Sequence, residues 1–213
     1  MLSKKKLLQK STLYAILDPE FLGKRDIEEA VEDALRGGAD IIQYRDKQAN
    51  DLLFIQNASR IRYIVTRHGG IFIINDRVPI AKEVDADGVH IGAGDLAPQE
   101  ARTMLGPDRI IGLTTHSLAE IERAPLDCID YISVGPVFLT KTKPSLEPLG
   151  IKEITNIISF ISLPFFIIGG ITVDNLEALL DVGATRIAVI GAIFGQENIR
   201  QAASALKQKL SGN

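Results

Sequence analysis

Apolar residues in this chain fall into short, nearly continuous runs. The runs are LYAIL from 13, DIIQY from 40, GIFII from 70, DGVHI from 87, RIIGL from 109, DYISV from 130, LPFFII from 163 and TRIAVI from 185. Runs of this length, apolar without alternation, predict strands covered on both faces. Between most of them the spacing changes to a helical period. In DIEEAVEDALRGG (26–38), Ile27, Ala30, Val31, Ala34 and Leu35 share one side, and Gly37 and Gly38 stand where a helix ends. Further helices are predicted over 51–67, 98–105, 117–124, 151–161, 173–182 and 197–210. Similar cues recur ahead of strands: GGAD at 37–40, EVDAD at 83–87 and VGAT at 182–185. Strands alternating with helices predict a parallel sheet covered by helices. Eight strands of similar weight favour closure, so the fold class is α/β, a single (β/α)8 TIM barrel rather than an open doubly wound sheet. No linker divides the chain, and residues 1–213 are expected to form one barrel domain with 1–12 as a basic lead-in segment.

Composition narrows the function. A formal charge of −3 leaves no basic excess for a nucleic-acid backbone or a membrane surface, so any anion site must be local. Cys128 is the only cysteine, which rules out an internal disulfide and fits a reducing compartment; its place ahead of a strand predicts a small buried residue. The N-terminal MLSKKKLLQKS lacks the apolar region of a signal peptide, and no apolar run approaches the roughly 20 residues of a membrane span. A cytoplasmic protein is expected.

A parallel barrel gathers its chemistry at the C-terminal ends of its strands. There the second strand carries Gln43, Arg45 and Lys47, which in an extended chain share one face, with Ile42 and Tyr44 on the other. The third carries Asn75 and Asp76, and the fourth His90 and then Asp95. The fifth carries Thr114, Thr115 and His116. Asp76 and Asp95 suit Mg²⁺, which takes one or two carboxylates and completes its shell with water and phosphate. Arg45, Lys47 and Lys143 beside them suit a diphosphate. The competing readings are that Asp76 pairs with Arg77 or caps a helix, and that Asp95 caps the helix starting near Pro98.

The loop FLTKTKP contributes Thr140, Lys141, Thr142 and Lys143 as an anion cradle. IIGGI and IGAIFG follow the seventh and eighth strands, where barrels bind phosphate through backbone N–H groups. GAGDLA (92–97) satisfies a dinucleotide fingerprint, but no acidic residue follows at the distance needed to hold a ribose. The histidines show no zinc spacing.

The motifs QYRDK, IINDR, ADGVHIGAGD, GLTTHS, VGPVFLTKTK and IIGGI resemble, in order and spacing, those of the thiamine-phosphate synthase family. The resemblance runs from about Tyr14 to Phe194. It implies a Mg²⁺-assisted transferase whose partners are two small molecules, a hydroxymethylpyrimidine diphosphate and a thiazole phosphate. Gln43, Arg45, Lys47 and Asn75 would hold the diphosphate substrate, with Tyr44 and Asp46 in the same motif also counted as substrate-binding. Asp76 and Asp95 would carry the metal, and His90 would lie by the pyrimidine. Thr114 and Lys143 would contact the departing pyrophosphate. Thr140, Thr142, Gly170, Ile190 and Gly191 would surround the thiazole phosphate, with Lys141 in the same loop also counted as substrate-binding. Lys143, Arg45 and Lys47 are the expected catalytic cations.

The chain departs from the family in having Asp46 for the usual Glu, GAGD for GQED, and Thr114 and Gly191 where Ser is frequent. The sister thiazole tautomerases use a histidine in the motif corresponding to TTHS, and His116 keeps that reading open, as GAGD does for a non-catalytic binding paralogue. Barrels of this kind often dimerise, so a homodimer is admitted, although no face announces one.

Overall fold

The structure is a computed structural model that describes residues 3–140 and 146–212. Eight parallel strands close into a barrel in sequence order, with β8 pairing back to β1. They are β1 Leu13–Leu17, β2 Ile41–Tyr44, β3 Ile71–Asn75, β4 Gly88–Ile91, β5 Ile110–Thr115, β6 Tyr131–Val134, β7 Phe165–Ile168 and β8 Ile187–Val189. Six lie within a run expected from the apolar pattern, while β3 and β5 extend past theirs by one and two residues, to Asn75 and Thr115. The helices are α1 Lys4–Leu8, α2 Ile27–Arg36, α3 Asp51–Arg67, α4 Val78–Glu83, α5 Pro98–Leu105, α6 Leu118–Glu122, α7 Gly150–Ile158, α8 Glu177–Leu180 and α9 Ile199–Leu210. Among them α4 was not expected. It is six residues long with Pro79 in its first turn, too short to show a helical period. None of the described helices is long and apolar enough to cross a membrane.

Alternation along the strands divides the core into two layers. Leu13, Ala15 and Leu17, Ile42 and Tyr44, and Phe72 and Ile74 face the helices. Tyr14, Ile16, Ile41, Ile71, Ile73, Ile110, Tyr131, Phe166 and Ala188 fill the barrel. Three rings dominate this interior: Tyr14 and Tyr131 each meet Phe166 edge-on, at centroid distances of 5.2 and 5.6 Å. Gly112 makes room for them. A Cβ there would stand 2.0 Å from Tyr131 Cζ, well inside contact distance.

The cues ahead of strands acquire a physical meaning. Asp40, Asp87 and Asp130 precede β2, β4 and β6, and each carboxylate accepts N–H groups at the start of the preceding strand. Asp40 takes those of Thr12 and Leu13 at 2.8 and 3.0 Å, Asp87 that of Phe72 at 2.8 Å and Asp130 that of Ile111 at 2.9 Å. Each also meets a cation: Lys207 at 2.6 Å, Lys4 at 3.1 Å, and Lys5 and Arg102 both at 2.7 Å. Helix α1 thus lies across the N-terminal end of the barrel, opposite the mouth. Its Leu8 is 1% exposed and belongs to the interior layer, a burial worth about 2 kcal/mol. Cys128, expected to be buried, is half-buried in the turn before β6, and Ile129 takes the core position instead.

Candidate functional site

The C-terminal ends of the strands surround a cavity of about 500 Å³, within the usual range for small-molecule sites. Gln43 and Arg45 enter it from β2 and the turn after it, Asn75 from β3, His90 from β4, and Thr114 and His116 from β5. The opposite wall is made by Gly169, Gly170 and Thr172 after β7 and by Ile190, Gly191 and Gln196 after β8. Gly170 has φ +65, and a Cβ on it would lie 2.3 Å from the Leu139 carbonyl oxygen, so only glycine brings the two loops this close. At Gly191 a Cβ would come 3.0 Å from the edge of the Phe21 ring. Phe21 fills the space a side chain would use.

Polar groups run through the barrel beneath the cavity. Gln43 Nε2 donates to Tyr14 Oη at 2.6 Å, and the Tyr14 and Tyr131 hydroxyls are 2.9 Å apart. Tyr131 Oη is 2.9 Å from His90 Nδ1, and His90 Nε2 is 2.8 Å from Thr114 Oγ1 and 3.2 Å from Ser133 Oγ. Gln43, Tyr14, Tyr131, Ser133 and His90 are all buried. Burial raises both tyrosines above the ordinary phenol range, so their hydroxyls keep their protons. Isolated buried polar groups would be costly, and this chain satisfies each with a partner.

At the rim, Arg45 forms an ion pair with Asp18, whose side chain is 3% exposed while the guanidinium keeps 22%. Lys47 pairs with Asp76. Asp76 adopts a left-handed φ of 60, a conformation Asp tolerates better than most residues, and its backbone N–H donates to the His90 carbonyl at 2.8 Å. Asp95 Oδ2 accepts the Gly92 N–H at 2.7 Å. Burial holds the Asp95 carboxyl above the usual range, and contact with Asp76 raises it further. The two carboxylates therefore crowd one another, with Lys47 alongside. Neither competing reading of these residues holds: Asp76 pairs with Lys47 while Arg77 pairs with Asp51 at 2.8 Å, and no side chain caps α5. Among the described residues, no three His, Cys, Asp or Glu side chains gather into a closed metal cage.

The expected residues divide accordingly. Gln43, Arg45, Asn75, His90, Thr114, Thr140, Gly170, Ile190 and Gly191 line the cavity, with Lys47, Asp76 and Asp95 grouped together beside it. Tyr44 and Asp46 are not among the residues that line the cavity. Tyr44 packs on Phe54 of α3 at a centroid distance of 4.4 Å, its hydroxyl accepting from Asn57 and donating to Asp46. Asp46 also accepts the Gln48 and Ala49 N–H groups at 2.9 Å, closing the turn after β2. Lys141, Thr142 and Lys143 lie outside the described residues.

Sequence reasoning did not find Asp18, Phe21, Ser133 or the two interior tyrosines. The tyrosines sit in runs that read as plain core, and only the closed register brings their hydroxyls together. Asp18 directly follows the LYAIL run, and the rule that rim residues follow strands would have found it.

Comparison with known proteins agrees with this geometry. Residues 13–193 match the family described as thiamine monophosphate synthase. A thiamine-phosphate synthase of Alkaliphilus oremlandii is 40% identical over 198 residues, covering 93% of this chain and 95% of that protein. One from Prochlorococcus marinus (strain MIT 9313) is 43% identical over 177 residues, covering 83% of this chain and 50% of the relative. The chain thus spans about half the length of several curated relatives it matches. The solved thiamine phosphate pyrophosphorylase from Pyrococcus furiosus is 33% identical with a TM-score of 0.87, covering 97% of this chain and 98% of that one.

Proposed function

Because the chain belongs to the thiamine monophosphate synthase family, we propose that it condenses a hydroxymethylpyrimidine diphosphate with a thiazole phosphate, giving thiamine phosphate and pyrophosphate. One observation carries the reading: Gln43, Arg45, Asn75, His90 and Thr114 converge on one cavity whose far wall is backbone-rich, with the crowded pair Asp76 and Asp95 at its edge. Cations and carboxylates on one side suit a diphosphate, and close-approach glycines on the other suit a single phosphate.

Asp76 and Asp95 would hold Mg²⁺. Two carboxylates pressed together, with no third His, Cys, Asp or Glu grouped with them among the described residues, fit an ion that completes its shell with water and substrate oxygens. When bound, Mg²⁺ supplies neutralising charge to the diphosphate. Arg45 and Lys47, with Lys143 from the family motif, stabilise the negative charge that develops as the methylene C–O bond breaks and its electron pair leaves with pyrophosphate. The thiazole nitrogen then donates its lone pair to the pyrimidine methylene cation. No protein base is needed, because that nitrogen is itself the nucleophile once positioned. Gln43 and His90 orient the pyrimidine. Thr140 and Thr142, with the backbone at Gly170 and Ile190–Gly191, hold the thiazole phosphate.

His116 supports a second reading, a thiazole tautomerase. It lines the cavity with Nδ1–H donated to the Gly135 carbonyl, which leaves Nε2 without that proton. An isomerase without a diphosphate substrate would have no use for the Asp76–Asp95 pair. The deciding assay incubates the protein with both substrates and Mg²⁺ and reads thiamine phosphate as fluorescent thiochrome phosphate. Product that disappears with EDTA and with Asp76→Ala is the expected result. Turnover that persists fully without metal, or no product from folded wild type, would overturn the proposal.

A further inference from the structure

The buried chain of hydrogen bonds has a direction, and that direction sets the state of a cavity residue. A tyrosine hydroxyl donates once, and a neutral histidine donates from one ring nitrogen and accepts at the other. Gln43 gives Tyr14 an N–H, so the Tyr14 proton passes on to Tyr131, at 2.9 Å. The Tyr131 proton then points to His90 Nδ1, also at 2.9 Å. Nδ1 accepts, and the imidazole proton sits on Nε2, facing Thr114 at 2.8 Å and Ser133 at 3.2 Å.

We infer that Tyr14 and Tyr131 are positioning residues that lock His90 as its Nε2–H tautomer, and that through it they orient the Thr114 hydroxyl as a donor into the cavity. Thr114 Oγ1 receives the His90 proton, and the Ser133 hydroxyl stands 3.5 Å away as a second donor. With its lone pairs so occupied, its own hydrogen is left for a ligand. The chemistry this selects is a hydrogen-bond acceptor, such as a phosphate oxygen, at that wall. The opposite direction requires the Gln43 amide turned over, with Oε1 accepting from Tyr14. Nδ1 would then carry the proton, and the Thr114 hydrogen would be spent on Nε2. Gly112 protects the arrangement, since any side chain there would displace the Tyr131 ring.

The inference does not depend on which reaction the protein runs, so its test uses no substrate. Protein labelled with ¹⁵N-histidine is studied by long-range proton–nitrogen correlation in mildly alkaline buffer, with His68→Gln and His116→Gln spectra assigning the signals of His90. The expected wild-type pattern is a protonated, pyrrole-like Nε2 and a pyridine-like Nδ1. Tyr131→Phe keeps the ring but removes the donor to Nδ1, and should bring in the Nδ1–H form. Tyr14→Phe removes the donor that directs the Tyr131 proton towards Nδ1, and should bring in a smaller share of the Nδ1–H form. A protonated Nδ1 in the wild type, or a Tyr131→Phe spectrum indistinguishable from it, would overturn the inference. A merely structural tyrosine would not change the tautomer.

Discussion

Replacing Gly112 by alanine introduces one methyl group at the most confined point of the barrel. The added carbon would lie 2.0 Å from Tyr131 Cζ and 2.4 Å from both Cε1 and Oη. Contact between carbons begins near 3.5 Å, so the ring must withdraw by about 1.5 Å. Tyr131 is packed on all sides, against Phe166 at 5.6 Å, Tyr14 at 5.9 Å and His90 at 5.4 Å between ring centroids. Overpacking of this sort costs about 1–3 kcal/mol. Pulling the hydroxyl from Tyr14 and His90 leaves buried polar groups unpaired and adds about 1–3 kcal/mol. The expected loss is therefore about 4 kcal/mol, from a single methyl group. Tyr131→Ala alone should cost about the same, by emptying its site. The double variant tests the cause, because the alanine methyl then enters vacated space. Its cost should stay near 4 kcal/mol instead of summing to about 8, a coupling of about 4 kcal/mol. Urea unfolding followed by far-ultraviolet circular dichroism measures all three. Additive losses, or a Gly112→Ala cost below about 1 kcal/mol, would refute the reasoning.

Asp18→Asn keeps the hydrogen bond to the Glu20 N–H but leaves the Arg45 guanidinium without its counter-charge. Because Arg45 is partly solvated, the cost should be about 2 kcal/mol, below that of a fully buried pair, with a raised KM for the diphosphate substrate as the kinetic check. Asp95, raised by burial and by Asp76, should lose its charge at a higher pH than an ordinary aspartate. Calorimetric Mg²⁺ affinity should accordingly begin to fall earlier on acidification. In the metal-free protein the sign is opposite: the folded state holds that proton more tightly than the unfolded state, so this contribution to stability is present at low pH and lost as pH rises through the raised value. Leu8→Ala should cost about 3 kcal/mol in urea titrations while leaving both KM values unchanged, since Leu8 lies at the end of the barrel away from the mouth.

The strands and the rim were legible because both rest on local rules. Apolar runs mark strands, and the polar residues that follow them mark a mouth. Alternation had placed Tyr44 beside Ile42 on the outer face, and the structure agrees. Tyr14 and Tyr131 are 117 positions apart, and nothing local to either announces a shared hydrogen bond. Gly112 reads as a weak strand residue until the ring it accommodates is known. Asp18 sits before Pro19 and reads as a turn, and its partner Arg45 becomes evident only from the β1–β2 register.

The pairing of α1 with the aspartates under the barrel bears on the order of assembly. Lys4 reaches the carboxylate ahead of β4, Lys5 reaches the one ahead of β6, and Leu8 enters a floor shared by residues of several strands. None of these receptors is in place before the strands have joined. A segment that precedes every strand in the chain is thus expected to find its docking site only once the strands that carry these receptors have come together. Hydrogen-exchange protection of its amides would report ring closure itself, separately from the formation of any single β/α unit.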